Sequence, residues 1–257
     1  SVAVISYISR IFSPIESLGM EIQTIQSAMA GVKRIDAFLA QDERPIPEPR
    51  DTAAKGDIVF SDVTFGYGEK PVLRDFSMTV REGEQVTLTG RTGAGKSTVF
   101  RLLLGLYRPE KGRITIGGTD VSDITDSERR ACIGCVEQHF SRVPGTVIDQ
   151  ITLGDPTVTE EMAKSAAVLA GLDETIRSFP EGYNTVCTDG MFSQGEWQLL
   201  SIARAAAADP KVLLLDEITA NLDAGTETRV LEALRRASEG RTVLSISHRI
   251  RETAGGR

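Results

Sequence analysis

Residues 90–98 read Gly-Arg-Thr-Gly-Ala-Gly-Lys-Ser-Thr, and their reading decides the fold. Four free positions separate Gly90 from Gly95, and Lys96 and Ser97 follow at once. Glycines let a backbone curl until consecutive N–H groups point inward, which suits the β-phosphate of a nucleoside triphosphate. Lys96 adds a compact positive charge near the β- and γ-phosphates, and Ser97 offers a hydroxyl to Mg²⁺. The next residues, Thr98-Val99-Phe100-Arg101-Leu102-Leu103-Leu104, open a helix whose N-terminal dipole favours the same anion. Ahead of the loop, Gln85-Val86-Thr87-Leu88-Thr89 is a short β-prone run after the polar turn Glu82-Gly83-Glu84. Strand, glycine loop and helix in that order make Gly90, Arg91, Thr92, Gly93, Ala94, Gly95, Lys96, Ser97 and Thr98 candidate nucleotide-binding residues.

Working outward, Val212-Leu213-Leu214-Leu215 and Val243-Leu244-Ser245-Ile246 are apolar runs of the kind found in strands buried on both faces of a parallel sheet. Ligands of such sheets gather at the carboxyl ends of the strands. The first run ends in Asp216 and Glu217. Asp216 would face the Mg²⁺ held by Ser97, and Glu217 would orient or deprotonate the attacking water, because phosphoryl transfer needs a metal clamp and a water-positioning group. His248 follows the second run at the same edge, where a neutral imidazole would touch the γ-phosphate or the water. Gln138 lies just after a predicted strand over 133–137, its amide placed for Mg²⁺ or the water; His139 beside it reads as structural. The run 131–136 reads as a strand throughout. Cys132 and Cys135 would then fall on opposite faces as small core residues rather than metal ligands.

The chain has 257 residues, 40% of them hydrophobic, and a net charge of −7. That is enough apolar material for a packed core, and the charge gives no nucleic-acid footprint. Three cysteines make no disulfide framework and fit a reducing cytosol. No signal peptide is visible. Residues 1–12 are apolar but interrupted by Arg10, so a fragment beginning near the end of a membrane helix is expected.

Val4, Ile8, Ile11, Ile15, Leu18, Ile22, Ile25, Met29 and Val32 recur in alternating steps of four and three, a heptad-like stripe on one long helix with Pro14 as a kink. The stripe fits a coiled coil of no further meaning as well as it fits a functional seam. The helix is predicted to end near Leu39. Pro45, Pro47 and Pro49 among mixed charges then mark an extended linker over 41–56. From Asp57 the period becomes two: Val63, Phe65 and Tyr67 share a face, as do Phe76, Met78 and Val80, and Ile114 and Ile116 belong to another strand. From about 157 to 208 the signals are helical.

These residues together resemble the nucleotide-binding domain of an ABC transporter. The resemblance covers 57 to the C-terminus. It implies an α/β P-loop NTPase core with a mostly parallel sheet, an antiparallel β subdomain and a helical subdomain over about 140–208, preceded by the long N-terminal helix. Gly90–Thr98 is similar to the Walker A motif, Gln138 to the Q-loop, Asp216 and Glu217 to the Walker B pair and catalytic base, Ala220-Asn221-Leu222-Asp223 to the D-loop, and His248 to the switch histidine. Tyr67 matches the aromatic that stacks on adenine. Phe192-Ser193-Gln194-Gly195-Glu196 stands where the family marker Leu-Ser-Gly-Gly-Gln is usual. Ser193 and Gly195 keep the positions that reach the γ-phosphate held by the opposite subunit, while Glu196 brings negative charge close to that anion.

The resemblance thus implies Mg²⁺-dependent ATP binding and hydrolysis that powers transmembrane transport. The implied partners are a second ABC ATPase domain, head to tail in a homo- or heterodimer, and a transmembrane domain, with no nucleic acid. Residues 1–40 resemble the last transmembrane helix of an exporter where it leaves the bilayer, placing the protein at the cell membrane with the ATPase on the cytoplasmic face. Phe140 and Val143 would either dock that membrane part or pack inward. The family normally continues with further helices beyond the switch histidine, so C-terminal truncation is expected. A soluble ABC ATPase uncoupled from transport, and a half with a degenerate site in a heterodimer, remain as alternatives.

Overall fold

The computed structural model describes residues 2–40 and 56–247, apart from 69, 92, 139, 217 and 219–221. Thr92, Glu217, His248 and most of the predicted linker therefore lie outside the described residues. The chain divides into two units, Ser1–Ile46 and Pro47–Arg257. The first is α1 (Val2–Leu39), a helix whose assignment runs unbroken through Pro14. Its stripe residues Leu18, Ile22, Ile25, Met29 and Val32 are all exposed. Among the described residues no helix is long and apolar enough to cross a membrane.

In the second unit, β1 (Ile58–Gly66) and β2 (Pro71–Val80) pair antiparallel. Next come β3 (Gln85–Thr89) and α2 (Lys96–Leu103). A second antiparallel pair, β4 (Lys111–Ile116) and β5 (Thr119–Asp120), leads to α3 (Asp126–Cys132) and β6 (Ile133–Val136). The helical stretch holds α4 (Val147–Thr152), α5 (Glu160–Ala170), α6 (Asp173–Arg177) and α7 (Gln194–Ala206). Then β7 (Val212–Asp216), α8 (Ala224–Ser238) and β8 (Thr242–Ser247) close the described chain.

The strands form two sheets, an antiparallel one in the order β2-β1-β4-β5 and a parallel one in the order β3-β8-β7-β6. The parallel sheet separates two cores. Val212, Leu214, Leu244, Ile246 and Ile133 join Ile58, Phe60, Val80, Ile114, Val99 and Leu102 from the antiparallel sheet and α2. Leu213, Val243 and Val136 face the other way, against Leu199, Ile202, Ala166, Ala167, Val230 and Ala233 of α5, α7 and α8. This two-sided burial is why the sequence shows unbroken apolar runs in place of alternation. α7 lies close on β6: a Cβ at Gly134 would overlap the Ala205 carbonyl oxygen, so only glycine permits that approach.

One predicted strand is corrected. Ala131 and Cys132 end α3, and the strand begins at Ile133. The cause is a capping box: the Thr125 hydroxyl accepts from the Glu128 N–H at 3.2 Å while the Glu128 carboxylate accepts from the Thr125 N–H at 2.7 Å. Cys132 and Cys135 thus belong to different elements. Burial pushes their thiols up to about 11 and about 12, so both are inert.

Candidate functional site

All four strands of the parallel sheet end at one edge. The register sets Thr89 beside Ser247 and Asp216 beside Ile246, so the carboxyl ends of β3, β7 and β8 lie side by side there. At this edge the loop after β3 turns on left-handed glycines, with φ of 84° at Gly93 and 88° at Gly95. Gly95 packs against β2 as well; a Cβ on it would stand 2.9 Å from Leu73 Cδ2.

Lys96 is only 9% exposed. Its Nζ donates to the carbonyl oxygens of Gly90 at 2.8 Å and Arg91 at 3.1 Å. The ammonium is therefore held inside the curl of the loop. α2 starts on Gly95 with no side-chain cap and no acidic residue in its first turn. Its first N–H groups consequently keep their positive end for an anion. Ser97 is exposed and Thr98 buried. Asp216, half-buried, closes β7 at the same sheet edge.

Tyr67 follows β1 and is 49% exposed. Its hydroxyl lies 3.2 Å from Thr98 Oγ1 and accepts from Arg101 Nη1 at 3.1 Å. The ring packs edge-to-face on Phe65 and on Tyr107, with centroids 5.1 and 5.2 Å apart. The hydrogen bond to Tyr67, first, holds the Arg101 guanidinium above its ordinary pKa. Sequence reasoning found Tyr67 but missed Arg101 and Tyr107. The available signal was the spacing of Thr98 and Arg101, three apart on one helix face.

Gln138 sits two residues past β6, half-buried, and its carbonyl accepts from Gln198 Nε2 at 2.8 Å. Gln198 was also unread in the sequence, because only packing brings α7 to this loop. Phe140 packs inward: it stacks on Trp197 with centroids 5.0 Å apart, and the Arg204 guanidinium lies 4.0 Å from its centroid. Arg204 also donates to the carbonyls of Gln150 and Ser141, at 2.6 and 2.9 Å, and burial pushes its pKa down to about 10. A cleft of about 280 Å³ opens between the Gln138 segment and α7, with an Arg142–Asp189 ion pair of 2.9 Å among its lining residues.

The start of α7 is differently arranged. The Glu196 carboxylate accepts from both the N–H and the hydroxyl of Ser193, each at 2.8 Å, while the Ser193 oxygen accepts from the Glu196 N–H at 3.3 Å. Gly195 is buried, and a Cβ there would overlap Thr226 Cγ2 at the start of α8. Phe192 is buried edge-to-face between Phe179 and Trp197, at 5.3 and 5.0 Å, so its replacement of the family leucine is a packing choice. The structure joins Tyr67 and Lys96 to the phosphate loop and Gln138 to α7, whereas Ser193, Gly195 and Glu196 bond and pack within α7 and against α8.

Comparison with known proteins gives a consistent picture. The ABC transporter family profile matches residues 73–220. An ABC transporter ATP-binding protein of Bacillus subtilis is 39% identical over 97% of this chain and 42% of its own length. The fatty acid ABC transporter ATP-binding/permease protein of Mycobacterium bovis is 36% identical over 96% of this chain and 40% of its own. The chain thus spans well under half of these curated relatives. Among solved structures, a bacterial Atm1-family ABC exporter with ATP bound aligns with a TM-score of 0.73 and 32% identity, over 95% of this chain and 44% of that one.

Proposed function

This chain belongs to the ABC transporter family, as one of its ATP-binding domains, and from that premise we propose that it is the motor of an exporter, hydrolysing Mg-ATP to move a solute across the cell membrane. Lys96 carries the reading, since a buried ammonium inside a loop of left-handed glycines, beside an uncapped helix start, is a receptor for a polyphosphate. In this reading Gly90–Thr98 hold the phosphates and Tyr67 stacks on the adenine. Ser97, Asp216 and Gln138 supply hydroxyl, carboxylate and amide oxygens, the hard donors that Mg²⁺ prefers. The bound ion would neutralise charge on the β- and γ-phosphates. Glu217 takes a proton from the attacking water and His248 steadies the γ-phosphate. Ser193, Gly195 and Glu196 face the nucleotide of a second ATPase domain set head to tail, so that ATP closes the pair and hydrolysis reopens it. The cleft between the Gln138 segment and α7 receives the transmembrane partner, and α1 leads from the membrane, leaving the ATPase on the cytoplasmic face. The domain plan is residues 1–40 for that helix, 41–56 for a linker and 57–257 for the ATPase.

Glu217→Gln tests the chemistry. Turnover should collapse while ATP binding survives, and unchanged turnover would show that Glu217 is not the base. A second reading, a half with one weak site in a heterodimer, is favoured by one observation: the donors of Ser193 already serve the chain's own Glu196 carboxylate.

A further inference from the structure

An aromatic platform selects a base only if it stands at a fixed distance from the phosphate cradle, because base and phosphates belong to one ligand. Tyr67 is a half-exposed ring just past the end of a strand, and within its own strand only the edge-to-face contact with Phe65, centroids 5.1 Å apart, orients it. Three contacts from elsewhere in the chain add to it. Arg101 Nη1 donates to the phenol oxygen at 3.1 Å, so the phenol proton is free to be donated to Thr98 Oγ1, 3.2 Å away. Both partners stand on α2, the helix that starts at the phosphate loop. Tyr107 meets the ring edge-to-face at 5.2 Å, with the planes 86° apart, and itself leans on Phe65 at 5.5 Å. The hydroxyl thus ties the platform to the helix that carries the cradle, and Tyr107 sets the tilt of the ring.

We propose that Arg101 and Tyr107 are positioning residues for nucleobase recognition, holding Tyr67 through its hydroxyl and its ring so that the half-exposed ring is pre-organised relative to the helix that starts at the glycine loop. The proposal rests on the reading that Tyr67 stacks on the base. It adds that the hydroxyl, which stacking alone does not require, contributes to the preference for a nucleotide over a bare polyphosphate. Pre-organisation of this kind gains affinity by removing the need to order the ring on binding. An edge-to-face aromatic pair or a hydrogen bond at such a site corresponds to a change of about threefold to tenfold in affinity.

The test measures affinities of the purified protein for Mg-ATP and for Mg-tripolyphosphate, by displacement of a fluorescent nucleotide, and compares their ratio across variants. Tyr67→Ala should lower the ratio most. Tyr67→Phe, which keeps the ring, Arg101→Met and Tyr107→Ala should each lower it by about fivefold, with tripolyphosphate affinity unchanged within about twofold. Arg101→Lys, which keeps a cationic donor, should recover part of the loss. If Tyr67→Ala collapses the ratio while Tyr67→Phe and Arg101→Met leave it intact, the positioning role is overturned and the stacking reading stands. If Tyr67→Ala also leaves the ratio intact, both fall. Equal losses for ATP and tripolyphosphate in Arg101→Met would mark a general weakening of α2 and likewise overturn the proposal.

Discussion

The starts of α2 and α7 are both glycine-flanked helix N-termini, yet they treat their first N–H groups in opposite ways. α2 begins on Gly95, with no side-chain cap and no acidic residue in its first turn, and sets Lys96 beside the loop carbonyls. α7 begins on Ser193, capped reciprocally by Glu196. Four other helices resemble α7 in being capped from within: Thr125, Thr159 and Asp223 accept at the starts of α3, α5 and α8, and Asp149 accepts from Thr146 N and Oγ1 at 2.7 and 2.8 Å at the start of α4. A helix end meant for an external anion leaves its donors open, whereas one satisfied internally carries its own anion. The helix start proposed to receive phosphate is therefore the one left open, at α2, while the start of α7 carries its own carboxylate.

The largest break in that contrast should come from Lys96→Ala. It removes the buried ammonium from the curl of the loop and leaves the Gly90 and Arg91 carbonyls without that donor. Binding of a fluorescent ATP analogue should weaken by about a hundredfold or more, the loss of a charge-assisted contact to phosphate. Parent-like binding would end the account of α2 as the phosphate receptor. Gly195→Ala should act on folding before it acts on ligand, because the new methyl overlaps Thr226 Cγ2. Overpacking of this kind lowers stability by about 1–3 kcal/mol. Thermal melting reads the loss, and adding Thr226→Ala should restore part of it; if Gly195→Ala melts like the parent, the close approach of α7 and α8 is misassigned.

Glu196→Gln sharpens the contrast at α7 itself. Glutamine also serves in a capping box, so the helix start survives while the charge goes. Sedimentation with a non-hydrolysable ATP analogue should show association about threefold tighter, the gain from removing one like charge near a phosphate in a screened setting. Weaker association would mean that the carboxylate assists the contact. The smallest effect is local and depends on pH. Hydrogen bonds from the Thr146 backbone hold Asp149 below its ordinary pKa, and those from the Thr226 side chain and backbone do the same for Asp223. Their stabilisation is fully present above the unfolded value near pH 4 and is lost as pH falls through the depressed folded values. Amide exchange at the first turns of α4 and α8 should quicken in acid while the start of α2, which has no carboxylate cap, changes least. Equal quickening at all three would remove the distinction.

Much of this molecule was legible in residue order because the signals are local. The β-prone run ahead of the glycine loop is β3, residue for residue, and the helix of the apolar stripe ends at Leu39, the end expected ahead of the proline-rich stretch. The misread lies at Ala131 and Cys132, where small apolar residues look like strand and the capping signal, Thr125 with Glu128, sits six or seven residues upstream. Phe140 could not be assigned from its neighbours, since its packing partners Trp197 and Arg204 are on a distant helix.

Sequence by itself determined the glycine loop between β3 and α2, the doubly buried strands and the strand end at Asp216, because left-handed glycines, unbroken apolar runs and a strand terminus are properties of adjacent residues. Only the tertiary structure decided that the Tyr67 hydroxyl is pinned to α2, that Gln198 holds the Gln138 carbonyl, and that Gly195 is required by Thr226. Those pairings join residues far apart in the chain, and they exist because elements distant in sequence pack together within each of the two cores.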